Sequence, residues 1–220
     1  MNKTQVQILI TNTIAFVKQI LKNAEGGHDW FHIERVYKNS CLIAENEKCD
    51  ILVVQLGALL HDIGDSKFQN GDERIGPSMA RDFLEKEMVA ENIREHVIKI
   101  IENISFKGGH AKQVFRSKEL DIVQDADRLD AIGAMGIARA FNYGGFKNRK
   151  LYDPEVTPNL NFTKEEYKNS TAPTINHFYE KLLLLKDKMN TETGKKLAAK
   201  RHLFMEQFLK QFYNEWDGIL

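Results

Sequence analysis

Apolar residues recur at helical spacing along most of the chain. Between Gln5 and Lys22, the residues Val6, Ile10, Ile14, Val17 and Leu21 form one stripe, at steps of four, four, three and four. After the turn at Gly26-Gly27, Asp29 stands where an N-cap belongs and predicts a helix from Trp30 to about Asn46. Asp50 precedes ILVVQLGALLHD in the same way. That segment is apolar almost all round, which predicts a helix crossing the centre of the fold and ending near Asp62, with Gly64 as its stop. A polar stretch from Asp65 to Gly76 leads to PSMARDFLEKE, where Pro77 suits a first helical position.

A further helix is expected from about Ala90 to Asn103, with Ile93, Val97, Ile100 and Ile101 inward. The glycine-marked loop SFKGGHAK follows, then a long helical pattern from Lys118 to Asn142 with a bend near Gly133 or Gly136. From Tyr143 to about Ala172 the periodicity vanishes among Gly144, Gly145, Pro154, Pro158 and several Asn. So long an irregular connection is unusual in a compact domain. It reads either as a lid or partner-contact loop, or as a mobile surface excursion. Two helices close the chain, Pro173 to Met189 and about Thr191 to Trp216. No hairpin signal or internal repeat interrupts this picture. The expected class is all-α, in one domain over residues 1–220: a core at about 20–142, a loop at about 143–172 and C-terminal helices at about 173–216.

Composition narrows the function. With 42% hydrophobic and 28% charged residues the chain is an ordinary globular protein, not a disordered one. Lys+Arg and Asp+Glu balance at 31 each, without the basic excess of a nucleic-acid binder. The basic stretch GKKLAAKRH, Gly194 to His202, reads as a solvated helix face in preference to a polyanion groove. On one helix, Cys41 and Cys49 would stand about 12 Å apart, too far for a disulfide. The N-terminus lacks the apolar block of a signal peptide, and no window is apolar enough to span a membrane. The expectation is a cytoplasmic protein.

The polar residues inside this apolar pattern carry the chemistry. His61-Asp62 ends the most apolar helix, where burying a carboxylate beside an imidazole costs several kcal/mol unless something compensates. A divalent cation does so, accepting both donors; a core His beside a helix-terminal Asp is the plainer alternative. Upstream, HDWFHIERV places His28, His32 and Arg35 at spacings of four and three, on one helix face. Downstream, VQDADRLDAIG puts Asp127 and Asp130 on one side of a helix, with Asp125 pointing elsewhere. Arg128 offers those carboxylates an ordinary salt bridge as the alternative to a metal.

Together, His32, His61-Asp62 and Asp127 make the ordered pattern H…HD…D. In this the sequence resembles the HD-domain metal-dependent phosphohydrolases. The segments HDWFHIERV, LLHDIGD, DADRLDAIG and NHFYEKLLLLKDKM resemble one bacterial subgroup with metal-dependent nucleotide pyrophosphohydrolase activity. The resemblance covers nearly the whole chain. It implies an HD-domain helical bundle with two additional C-terminal helices and a long loop. It also implies that His32, His61, Asp62 and Asp127 ligate a divalent metal. Two-metal members carry further histidines after the helix that follows the HD pair; here Asn103, Ile104 and Ser105 stand there, while His96 and His110 lie elsewhere. One metal ion is therefore expected.

Mixed nitrogen and oxygen ligation without sulfur suits Mn²⁺, Fe²⁺, Co²⁺ or Ni²⁺ and is less typical of Mg²⁺; Mn²⁺ is the first choice. Lys67 and Arg35 are candidate phosphate clamps, His28 a candidate general acid or water holder, and Asp65 a candidate to orient that water or anchor Lys67. Each has a plainer reading, as a solvated lysine, a core ion pair, a capping histidine and a turn residue. His96, His177 and Lys181 are weaker candidates, and Trp30, Phe31, Phe68, Phe106, Phe141 and Tyr143 are aromatics able to stack a base. The expected substrate is a small phosphorylated molecule, a nucleoside triphosphate, with no nucleic-acid or membrane partner and with a homodimer left open. The rivals are a 5′-nucleotidase or phosphodiesterase on the same metal, and a non-catalytic nucleotide sensor. A structural zinc site at His28 and His32 is disfavoured because neither cysteine is in register with them.

Overall fold

The computed structural model describes residues 1–24, 29–64, 74–104, 115–163, 166 and 169–219. Among these the chain is all-α. In order it forms α1 (Lys3–Ile20), a 3₁₀ turn (Leu21–Asn23), α2 (Trp30–Ala44), α3 (Ile51–Leu60), α4 (Ile75–Lys86), α5 (Glu91–Ile104) and α6 (Lys118–Asp130). It continues with α7 (Gly133–Phe146), α8 (Thr174–Glu180), a 3₁₀ segment (Leu182–Lys188) and α9 (Glu192–Trp216). No described helix is long and apolar enough to cross a membrane. Two compact units result, Met1–Asp127 and Arg128–Leu220.

In the first unit α3 is the axis, packed against α1, α2 and α5, with α4 on α5. Its Val54, Leu56, Ala58, Leu59 and Leu60 are fully buried, and each Val or Leu contributes about 1.5–3 kcal/mol by leaving water. Gly57 makes the packing possible: a Cβ there would meet Ile100 at 3.3 Å and Val123 at 3.6 Å, so α5 and α6 approach the bare backbone. The Asp50 side chain caps α3 by accepting from the amides of Leu52 and Val53. Glu119 on α6 in turn accepts from the Asp50 amide at 2.9 Å. Both cysteines are free thiols. Burial pushes the Cys41 thiol up, and drives the neighbouring Tyr37 hydroxyl up to about 12.

Several helix boundaries differ from the periodicity. Helix α4 begins at Ile75, with Pro77 inside its first turn, where the missing N–H has no helical partner to lose. The long pattern from Lys118 is two helices, because Ile132 is extended and Gly133 has φ +74°, a conformation that favours glycine. The expected helix from Pro173 to Met189 breaks at Lys181 (φ −144°, ψ −55°) and continues as 3₁₀. No glycine or proline marks that break.

In the second unit α9 packs against α7 and the 3₁₀ segment. Arginines tie down the end of α6: Arg201 donates to Leu129 O and Arg139 to the buried Asp130 carboxylate, while Arg128 of α6 donates to Lys188 O in the 3₁₀ segment at 2.8 Å. Helix α7 extends to Phe146, so the irregular stretch starts later than the expected residue 143. Its described part is fastened to α8: Lys150 O and Leu151 O accept from the amides of Thr174 and Ile175, and Val156 O accepts from the Asn176 side chain. Tyr152 sits edge-on to Phe212, Tyr213 and Trp216 of α9, with ring centroids 5.0–5.9 Å away.

Candidate metal centre

Three helices of the first unit bring His32, His61 and Asp127 together. One ligand atom from each lies within 4.8 Å of the others. His32 Nε2 is 3.5 Å from Asp127 Oδ1, and the two imidazole rings are 5.4 Å apart at 67°. His32 belongs to the first turn of α2, His61 follows the last residue of α3, and Asp127 lies on α6.

Burial gives the cluster an inside and an outside. The His32 side chain is 3% exposed and His61 is buried, whereas the Asp127 side chain is 42% exposed. The carboxylate therefore marks the open side. His61 Nδ1 is 2.8 Å from Ala58 O and donates to it, which places the ring's remaining lone pair on Nε2. That tautomer suits a metal ligand, and the bond to a carbonyl is the usual means of orienting one. Two imidazole nitrogens and a carboxylate oxygen at this separation fit a divalent cation.

Asp62 is half-buried beside His61 and lies outside this cluster of three. Arg35 is half-buried one turn beyond His32. His28, Asp65 and Lys67 lie outside the described residues, as do Phe68, Phe106 and His110. Among the other candidates, His96 Nε2 is 2.9 Å from Ser117 Oγ and 3.4 Å from Glu119, so it is occupied at the start of α6. Phe141 packs with Phe178 and Phe208 in the second unit, as a core aromatic does. Trp30 lies beneath the Lys18 ammonium at 4.7 Å, while its neighbour Phe31 is 62% exposed. In the second unit His177 is largely buried; burial, then the positive charges of Lys181 and Arg149, push its pKa down from 6.5 to about 3.

Two contributors were absent from the sequence reading. The Ala58 carbonyl is backbone, and composition carries no trace of it. The Gln124 side chain donates to Asn103 O at 3.1 Å and Ile104 O at 3.5 Å, satisfying the end of α5 from α6 one turn before Asp127. Its signal was an uncharged polar residue inside the apolar stripe around Val123.

Residues 30–132, which contain all three clustered side chains, match the HD domain family. The chain belongs to the HD superfamily of hydrolases. An HD-superfamily hydrolase from Bacillus thuringiensis has a crystal structure that matches with 44% identity and a TM-score of 0.78, covering 96% of this chain and 98% of that one. The uncharacterised protein YpgQ of Bacillus subtilis is 41% identical over 206 residues, 93% of this chain and 92% of YpgQ. The crystal structure of YpgQ in complex with ADP matches with a TM-score of 0.77 over 96% of each chain, at 34% identity in the structural alignment.

Proposed function

We propose that this protein is a metal-dependent phosphohydrolase that splits a nucleoside triphosphate into the monophosphate and pyrophosphate. The convergence of His32, His61 and Asp127 around a half-open carboxylate carries the reading. The ADP complex of YpgQ supports a nucleotide as the substrate class. Mn²⁺ is the proposed ion; the mixed nitrogen and oxygen donor set also suits Fe²⁺, Co²⁺ and Ni²⁺, and Mg²⁺ less. Asp62, the residue after His61, is the proposed fourth ligand.

A bound cation would polarise a phosphoryl oxygen and lower the pKa of a bound water. The remaining roles fall to the chain's own groups. His32 and His61 are proposed to offer ring nitrogens from the buried side, and Asp127 its oxygen from the exposed side. Arg35 and Lys67 are proposed to grip the phosphates that stay with the leaving group. His28 is proposed to protonate that leaving group or hold the attacking water, with Asp65 orienting the water or anchoring Lys67.

Incubation with dGTP and Mn²⁺ tests the reading, with pyrophosphate as the expected product. Parallel incubations with a nucleoside monophosphate and a phosphodiester test the nucleotidase and phosphodiesterase alternatives; turnover of one of those alone replaces the proposal. If Mn²⁺ binds and no substrate turns over, the nucleotide-sensor reading takes its place. Asp62→Ala is expected to lose both metal content and hydrolysis, and full activity without metal would refute the mechanism.

A further inference from the structure

His32 is the third residue of α2, within the turn where a helix has no intrahelical acceptors for its amides. First turns fray unless something outside the helix holds those amides. Here the Asp29 side chain does: its Oδ1 accepts from the His32 amide at 3.0 Å, with Asp29 itself extended (φ −85°, ψ 177°) as an N-cap. The Asp29 carbonyl accepts from the same amide at 3.1 Å and from Ile33 at 3.4 Å. The capped amide therefore belongs to the very residue whose ring enters the cluster.

The other two clustered residues are placed differently. His61 is pinned through its own ring to Ala58 O, and Asp127 lies nine residues into α6 behind the Gln124 clamp. Metal–ligand distances tolerate only about 0.2 Å, whereas unwinding one turn moves a side chain by several ångström.

We propose that Asp29 is a positioning residue of the metal centre: by capping the His32 amide it fixes the imidazole in ligating position, without touching the metal or the substrate. This rests on the reading of His32 as a ligand. The test is titration calorimetry with Mn²⁺ alone, on wild type, His32→Ala, and Asp29→Ala, →Gly, →Asn and →Ser. Thr191→Ala is the control, because Thr191 caps α9 through Gly194 N at 2.9 Å in the other unit.

Asp29→Ala is expected to weaken Mn²⁺ binding about 10-fold or more, the usual scale for residues that orient ligands. Asn and Ser, which keep a capping acceptor, should stay within about 3-fold of wild type. Glycine is tolerated at N-caps without offering a side chain, so Asp29→Gly should fold and still lose affinity, which decides the matter if the alanine variant does not fold. The control should lose thermal stability and keep its affinity. Unchanged affinity in Asp29→Ala and →Gly overturns the proposal. An equal loss in all four Asp29 variants also overturns it, since the carboxylate charge and not the cap would then matter. Wild type that binds no Mn²⁺, or His32→Ala that binds it fully, sinks the ligand assignment instead.

Discussion

Acidification from pH 7 to pH 5 should remove stability through His177 of the second unit. Burial and the neighbouring Lys181 and Arg149 hold its folded-state pKa at about 3, against 6.5 when exposed. Between those values the unfolded chain takes up a proton that the folded chain refuses, so stability falls as pH falls below 6.5 and the loss is complete near 3. At pH 5 the difference is RT ln(1 + 10^1.5), or about 2 kcal/mol. A folded pKa of about 4 instead of 3 alters this by less than about 0.1 kcal/mol, because the figure is set almost wholly by the unfolded histidine.

The assay is urea unfolding of wild type and His177→Gln at both pH values, followed by ellipticity. Glutamine keeps a neutral polar group of similar reach and does not titrate. All other titrating groups are common to both proteins, so they cancel in the difference of differences. Wild type should lose about 2 kcal/mol more than the variant on going to pH 5. Equal losses would refute the account, and so would an imidazole ¹⁵N titration showing His177 protonated above pH 5.

Asp130→Ala should destabilise the protein by about 1–3 kcal/mol in chemical denaturation, since it removes a carboxylate only 1% exposed that accepts a charged hydrogen bond from Arg139. Gly64→Ala should reduce the melting temperature clearly and Gly76→Ala hardly at all: a Cβ at Gly64 would lie 2.4 Å from Gly76 backbone, whereas one at Gly76 finds its nearest neighbour at 3.4 Å. Asp127→Asn should cut Mn²⁺ affinity at least about 10-fold while changing metal-free stability by no more than about 0.5 kcal/mol, because the side chain is 42% exposed; calorimetric titration and melting of the apoprotein separate the two effects.

The helices of the first unit were legible because their signals are local. Asp29 and Asp50 both cap the helices assigned to them, and the apolar run before His61 is the buried axis. Three widely separated side chains of the H…HD…D pattern meet, as the spacing alone could not require. What escaped depends on contacts distant in sequence. Gly133 looked like a bend, yet it separates two helices; a Cβ there would come within 3.0 Å of the Arg201 side chain. The break at Lys181 falls in the helical-looking run FYEKLLLLKDK, where local propensity favours continuation.

Lack of periodicity after Phe146 invites the use of that stretch as a place to splice in a tag or a foreign domain. The backbone there is already spoken for: Arg149 reaches Ser170 O, residues 150 and 151 serve α8 as acceptors, and the Asn159 amide donates to Glu180. Tolerance of inserted sequence follows from idle backbone groups, not from absent helical rhythm. Between Lys150 and Asn159 a graft would have to tear out these bonds and the Tyr152 ring together, so fusion partners belong elsewhere on the chain.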